Sequence, residues 1–214
     1  MRGIFLLIVG TLLCAHVAMG NAVSNEWKNS EALLLSLEKS FSSIKTVQTK
    51  FTQEKTLRVF ARTIEMKGNL LLENPGRLAW RINSPIRYVL ILDGNYALQW
   101  DEETRKVQKT KTTGDPVFEE VLGQIEKWFS GKFSLLAKDY NLNVLSHEPL
   151  EMAFIPKPKS LVGKAIKRVT VSVRDDRKYV EAITIEDVSG DLTKIMFHDT
   201  VLNKPIATSE WKVN

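Results

Sequence analysis

A chain of 214 residues with 30 Lys and Arg against 25 Asp and Glu carries a formal charge of +5, a mild excess with both signs interspersed. Such a balance draws acidic partners only weakly, and a single cysteine excludes an intramolecular disulfide framework. No linker, low-complexity tract or repeat interrupts the sequence, so one domain accounts for it.

The first twenty residues read as an export signal. Arg2 supplies a positive start, Ile4 to Cys14 is nearly all apolar, and Ala18-Met19-Gly20 places small residues where a signal peptidase reads. Cleavage near Gly20 leaves residues 21–214 as the mature domain, of charge +4 once Arg2 is gone. A membrane anchor needs roughly 20 apolar residues, and this run meets His16 well before that. Cys14 leaves with the signal, and Leu13 before it argues against lipid attachment.

From Glu26 to Lys45, Leu34, Leu37, Phe41 and Ile44 recur at spacings of three and four, which predicts an amphipathic helix. Strands follow at 46–57, 62–73, 77–83, 87–92, 95–101 and 105–111, punctuated by Gly68, Asn74-Pro75-Gly76, Pro85 and Asp93-Gly94. Side chains alternate across a strand. Leu78, Trp80 and Ile82 therefore share a greasy face, and Arg77, Ala79 and Arg81 a wet one. Likewise Tyr88, Leu90 and Leu92 share one side of their strand, and Leu98 and Trp100 one side of the next.

Asp115-Pro116 opens a second predicted helix, with Asp at the cap and Pro at the first helical position, ending near Ser130 before Gly131. Its apolar side carries Phe118, Val121, Leu122, Ile125, Trp128 and Phe129. Strands return at 140–147, 150–156, 166–174, 179–187, 191–198 and 206–213. Lys157, Lys159, Lys164, Lys167 and Arg168 form a basic loop, read either as a solvated surface or as a contact for headgroups or an acidic partner. Without interleaved aromatics it does not suggest nucleic acid. The whole predicts an α+β fold, helices lying across the concave side of a strongly curved antiparallel sheet; the pattern fits a hollow or a filled barrel equally.

No catalytic constellation is visible. His147 and His198 are far apart, without metal-ligand spacing, and there is no nucleophile elbow or glycine-rich phosphate loop. Glu102-Glu103 and Asp175-Asp176 sit in turn-like settings, and Glu119-Glu120 in the first turn of a helix, where turn chemistry and the helix dipole explain them. Neither catalytic residues, a metal nor a cofactor is expected.

The series Phe51-Thr52-Gln53, Gly68-Asn69-Leu70, Pro75 with Trp80, Pro85 and Asp93-Gly94 resembles the outer-membrane lipoprotein carriers, the LolA-like periplasmic family. Phe154-Ile155-Pro156-Lys157 and Asp187 to Asn203, with Gly190, Thr193, Ile195, Phe197 and Asn203, extend the resemblance over most of the mature chain. It implies an incomplete β-barrel of about 11–12 strands with a helical lid over an apolar cavity. Carried onto this sequence, Phe51, Leu78, Trp80, Leu90, Leu98 and Trp100 line the cavity. Leu34, Leu37 and Phe41, with Phe118, Val121, Leu122 and Ile125, form the lid.

The resemblance also implies a monomeric, non-enzymatic carrier in the periplasm. Such a carrier takes acylated lipoprotein or lipid cargo from an inner-membrane ABC-type lipoprotein-releasing complex to an outer-membrane receptor. Where many members have an Arg before the Pro as a lid latch, this chain has Asn74, leaving Asn74 or Arg77 as candidate latch. The chain also lacks the members' Pro-containing tail, ending at Asn214. A carrier for a glycolipid or other acylated product, or a lipid-sensing module, is the alternative.

Overall fold

The computed structural model describes residues 26–60, 62–94, 96–111, 127–128, 131–158, 160 and 162–213. The segment read as a signal, and the lid positions Phe118, Val121, Leu122 and Ile125, lie outside the described residues.

Among the described residues, the helix α1 (Glu26–Phe41) precedes eleven strands. These are β1 (Thr46–Leu57), β2 (Arg62–Glu73), β3 (Arg77–Ser84), β4 (Tyr88–Asp93), β5 (Tyr96–Asp101), β6 (Val107–Lys111), β7 (Tyr140–His147), β8 (Leu150–Pro156), β9 (Ile166–Val173), β10 (Val180–Asp187) and β11 (Leu192–Leu202). Near its C-terminus the helix meets serines that compete for its carbonyls: the hydroxyls of Ser40, Ser42 and Ser43 donate to the carbonyls of Ser36, Lys39 and Ser40. It ends at Phe41, four residues before the predicted boundary.

All eleven strands form a single antiparallel, curved and open sheet in the order β6-β5-β4-β3-β2-β1-β11-β10-β9-β8-β7. Two meanders of consecutive hairpins therefore meet where the first strand pairs with the last, Phe51 opposite Phe197. The edges are β6 and β7, so the barrel is incomplete between them. Edge strand β6 is exposed along its whole length and carries Lys109 and Lys111, charges that discourage pairing with another chain.

The predicted strand at 206–213 is not formed. Residues Thr208–Trp211 make a 3-10 turn, and Trp211 is buried against Leu71, Ala79 and Ile91 on the outer face of the sheet. The Arg81 guanidinium donates to the carbonyl of Glu210, and the Arg77 guanidinium lies 4.3 Å from the centre of the Trp211 ring. A side chain this large, docked beside two arginines, ties the tail across the sheet instead of along its edge. The face expected to be wet thus carries its own small apolar cluster, with Ala79 fully buried.

Candidate functional site

On the opposite, inner face the alternation in β3 and β4 buries Leu78, Trp80 and Ile82 together with Tyr88, Leu90 and Leu92. The register aligns Leu78 with Leu92, Trp80 with Leu90 and Ile82 with Tyr88, so the six make one continuous wall. Leu70 and Leu72 of β2 and Phe51 of β1 continue it toward the centre of the sheet. Phe51 lies across Gly68, whose position no larger residue fits: a Cβ there would stand 1.9 Å from the Arg81 carbonyl oxygen and 2.6 Å from Phe51 Cζ.

Helix α1 brings Leu34, Leu37 and Phe41 into the same core, as its spacing predicts. Phe41 meets Phe133 edge-on at 5.4 Å, in the 3-10 turn Phe133–Lys138, whose Ser134 N–H donates to Glu38 Oε1 at 2.7 Å. Trp128 stacks edge-on with Phe154 at 4.5 Å and Tyr140 at 5.7 Å, so the aromatic end of the second predicted helix joins the floor of β7 and β8. Gly131 stands at φ +72°, and a Cβ there would fall 2.4 Å from Phe41. Phe133, Leu136, Tyr140 and Phe154 were not singled out as binding residues from the sequence. The only signal for them was apolar and aromatic content, which a packed core shares.

Among the described residues the inner-face side chains of the wall are buried. Beside the wall, a cavity of about 20 Å³ between Val47, Thr49, Leu70, Tyr179, Val180, Phe197 and Thr200 has room for about one water and none for an acyl chain.

Two of the predicted wall residues lie elsewhere. Leu98 is opposite Ile91 and packs in the outer cluster with Trp211, and Trp100, two residues on, is opposite Val89 on the same side. Alternation correctly pairs the two; but β5 presents Ala97, Gln99 and Asp101 inward, because those are the partners of Leu92, Leu90 and Tyr88. This corrects the expectation that Leu98 and Trp100 line the inner wall.

The two latch candidates also separate. Asn74 Nδ2 donates to the carbonyl of Ile44 at 3.0 Å and its backbone N–H to Lys45 at 2.8 Å, pinning the exit of α1 to the β2–β3 turn. Arg77 points outward, with Nε 3.0 Å from Asp93 Oδ1, and cannot replace a latch on the inner face.

Polar groups on the inner face are unevenly spread. Thr49 is satisfied by Thr200 Oγ1 at 2.7 Å and the His198 carbonyl at 3.1 Å. Gln53 and Lys55 are buried at the β1–β2 hairpin end. Trp80 Nε1 and Tyr88 Oη are buried without a hydrogen-bond partner, and an unmet buried donor costs about 1–3 kcal/mol. Burial, and secondarily Asp101, pushes the Tyr88 phenol well above its ordinary pKa.

The basic loop is partly engaged: Lys157 Nζ donates to the Ala137 carbonyl at 2.7 Å, and Lys167 and Arg168 hold Glu186 at 2.6 and 2.8 Å. Those hydrogen bonds keep the Glu186 carboxyl below the usual range, Lys167 contributing most. His147 and His198 are exposed. Among the described residues no group of three His, Cys, Asp or Glu side chains could hold a metal, and no helix is long and apolar enough to cross a membrane.

The chain matches the family model described as outer membrane lipoprotein carrier protein LolA over residues 42–214. It is 25% identical over 154 residues to an outer-membrane lipoprotein carrier protein of Chromohalobacter salexigens, covering 70% of this chain and 67% of that one. A protein of the same description from Pseudomonas entomophila is 25% identical over 217 residues, covering 99% and 94%. In fold the chain is similar to the complex structure of Pseudomonas aeruginosa MucA/MucB, with TM-score 0.52, 12% identity and coverage of 87% of this chain and 61% of that one.

Proposed function

The chain belongs to the outer membrane lipoprotein carrier family LolA, and from that premise we propose that it carries acylated lipoproteins through the periplasm, binding their acyl chains between the inner face of the sheet and α1. In this reading it is exported with the segment through Gly20 removed and works as a monomer. An inner-membrane ABC-type complex is the donor and an outer-membrane receptor the acceptor.

The observation that supports the reading is an apolar core built jointly by the sheet and a helix. The sheet supplies Phe51, Leu78, Trp80 and Leu90, and a helix held by the bonds Ser134 to Glu38 and Asn74 to Ile44 supplies Leu34, Leu37 and Phe41. At about 0.8 kcal/mol per methylene, roughly 30 buried methylenes give some 24 kcal/mol gross, more than non-covalent affinity reaches. A carrier must offset part of this to release its cargo. Displacing a lid that fills the cavity does so, because every chain bound exposes apolar lid surface buried before. Phe118, Val121, Leu122 and Ile125 complete the lid in this proposal.

Extraction of the purified protein followed by mass spectrometry is the test. Lipoprotein acyl chains or acylated peptides support the carrier reading, a discrete glycolipid redirects it to a specialised carrier, and a lipid-free protein that takes up no added lipid defeats it.

A further inference from the structure

We infer that the inner face reads the neutral ester or amide carbonyl at which an acyl chain joins its polar head, using Trp80 Nε1 and Tyr88 Oη as donors, so that cargo lies with its chains toward Leu72, Leu78 and Leu92 and its head toward the β1–β2 and β3–β4 hairpins. The inference rests on the acyl-carrier reading above and adds to it the chemical group recognised and the direction in which cargo lies.

Three observations converge on it. First, the inner face gains polar groups toward the β1–β2 and β3–β4 hairpins on β4, β5 and β1, while β2 and β3 stay apolar there with Met66 and Ile82. From the end that carries Leu72, Leu78 and Leu92, the inward positions of β4 run Leu92, Leu90, Tyr88 and those of β5 run Ala97, Gln99, Asp101. On β1 they end at the same end of the sheet in Gln53 and Lys55, both buried. Second, Trp80 and Tyr88 are diagonal neighbours on β3 and β4, since Trp80 faces Leu90 and Ile82 faces Tyr88. Both are more than nine-tenths buried, and the Trp80 nitrogen and the Tyr88 hydroxyl have no hydrogen-bond partner. Third, the carbonyls of the surrounding strands are spent on the ladders joining β2 to β5, and the inward side chains Gln99 and Asp101 accept from neither donor, Asp101 being taken by Thr104, so an acceptor for these donors comes from what lies over the sheet.

An alkane has no acceptor, and a face that met only alkane would be as well served by Phe at both positions. An acyl ester or amide has one at each chain head. Asp101 stands opposite Tyr88 on the same face and is held ionised chiefly by the Thr104 backbone N–H. A neutral carbonyl therefore suits this place better than a carboxylate.

The test compares dioctanoylglycerol with its diether analogue dioctylglycerol, which keeps the chains and loses the carbonyls, each displacing a pyrene-labelled alkane from the mature protein. The wild type is expected to prefer the ester about tenfold. The Trp80→Phe, Tyr88→Phe double variant should bring that preference below about twofold. The melting temperature of Tyr88→Phe without lipid should not fall, because an unmet hydroxyl is removed, which separates lost recognition from lost folding. Equal binding of ester and ether by the wild type, or an undiminished preference in the double variant, overturns the inference and leaves the carrier reading intact. Failure of the alkane itself to bind the wild type overturns both.

Discussion

The rings of Phe51 and Trp80 lie 4.2 Å apart between centroids and tilted by 30°, with Gly68 on the strand between them. The pair occupies the middle of the inner face and makes Gly68 a steric requirement, since its Cβ would run into both the Arg81 carbonyl and the Phe51 ring. Gly68→Ala is expected to destabilise the protein by about 3 kcal/mol or more, read as a lower urea midpoint at unchanged slope. Wild-type stability in this variant would mean that the ladder of β2 and β3 yields freely here.

Leu37 is fully buried where α1 covers the sheet. Leu37→Ala should lower the stability of the lipid-free protein by about 2–5 kcal/mol. If the helix is a displaceable lid, the same change should tighten lipid binding, because less apolar surface is exposed on opening. Calorimetry and lipid titration on the same samples should move in opposite directions. Weaker binding together with lower stability would make α1 a fixed wall.

Inner and outer faces give contrasting variants. Leu78→Arg should abolish lipid binding, since an unpaired charge on the apolar wall is prohibitive. Leu98→Ala, in the outer cluster beside Trp211, should loosen the C-terminal tail and lower the melting temperature while lipid affinity stays within about twofold. Tail protection from hydrogen exchange is the readout for the second variant.

Asn74 ties Ile44 to the β2–β3 turn through its side-chain amide. Asn74→Ala should cost about 1 kcal/mol and increase amide exchange around the end of α1. If this bond latches α1 as a lid, lipid uptake should become faster. Unchanged uptake with the expected loss of stability would make this bond purely structural.

The pH dependence follows from Tyr88, whose phenol titrates above its ordinary range in the folded protein because it is buried. Above about pH 10 the unfolded chain loses the Tyr88 proton while the folded chain keeps it, so stability is complete below that pH and declines as pH rises. Tyr88→Phe should flatten this alkaline decline in thermal scans between about pH 9 and 11. An unaltered slope would place Tyr88 in contact with solvent.

Much of the wall was legible because it is written locally. Leu78, Trp80 and Ile82, then Tyr88, Leu90 and Leu92, alternate within single strands, and Leu34, Leu37 and Phe41 repeat along one helix, so each set shares a face whatever the fold. The strand boundaries were marked by Asn74-Pro75-Gly76, Pro85 and Asp93-Gly94, residues that break ladders for backbone reasons alone. The tail gave no such warning: 206–213 has strand-like spacing, but Arg77 and Arg81 offer Trp211 and its carbonyls a better place on the outer face.

The sequence by itself determined α1, the eleven strands, the antiparallel meander and which side chains travel together, because alternation and helical spacing are properties of neighbouring residues. Only the tertiary structure decided which member of each pair of faces turns inward. The register of β4 against β5 sent Leu98 and Trp100 outward and Gln99 and Asp101 inward. It likewise decided that Leu34, Leu37 and Phe41 are buried in one core with the sheet's inner face, and that Trp80 and Tyr88 are left there with donors unmet. Those outcomes depend on partners distant in the chain, which no periodicity records.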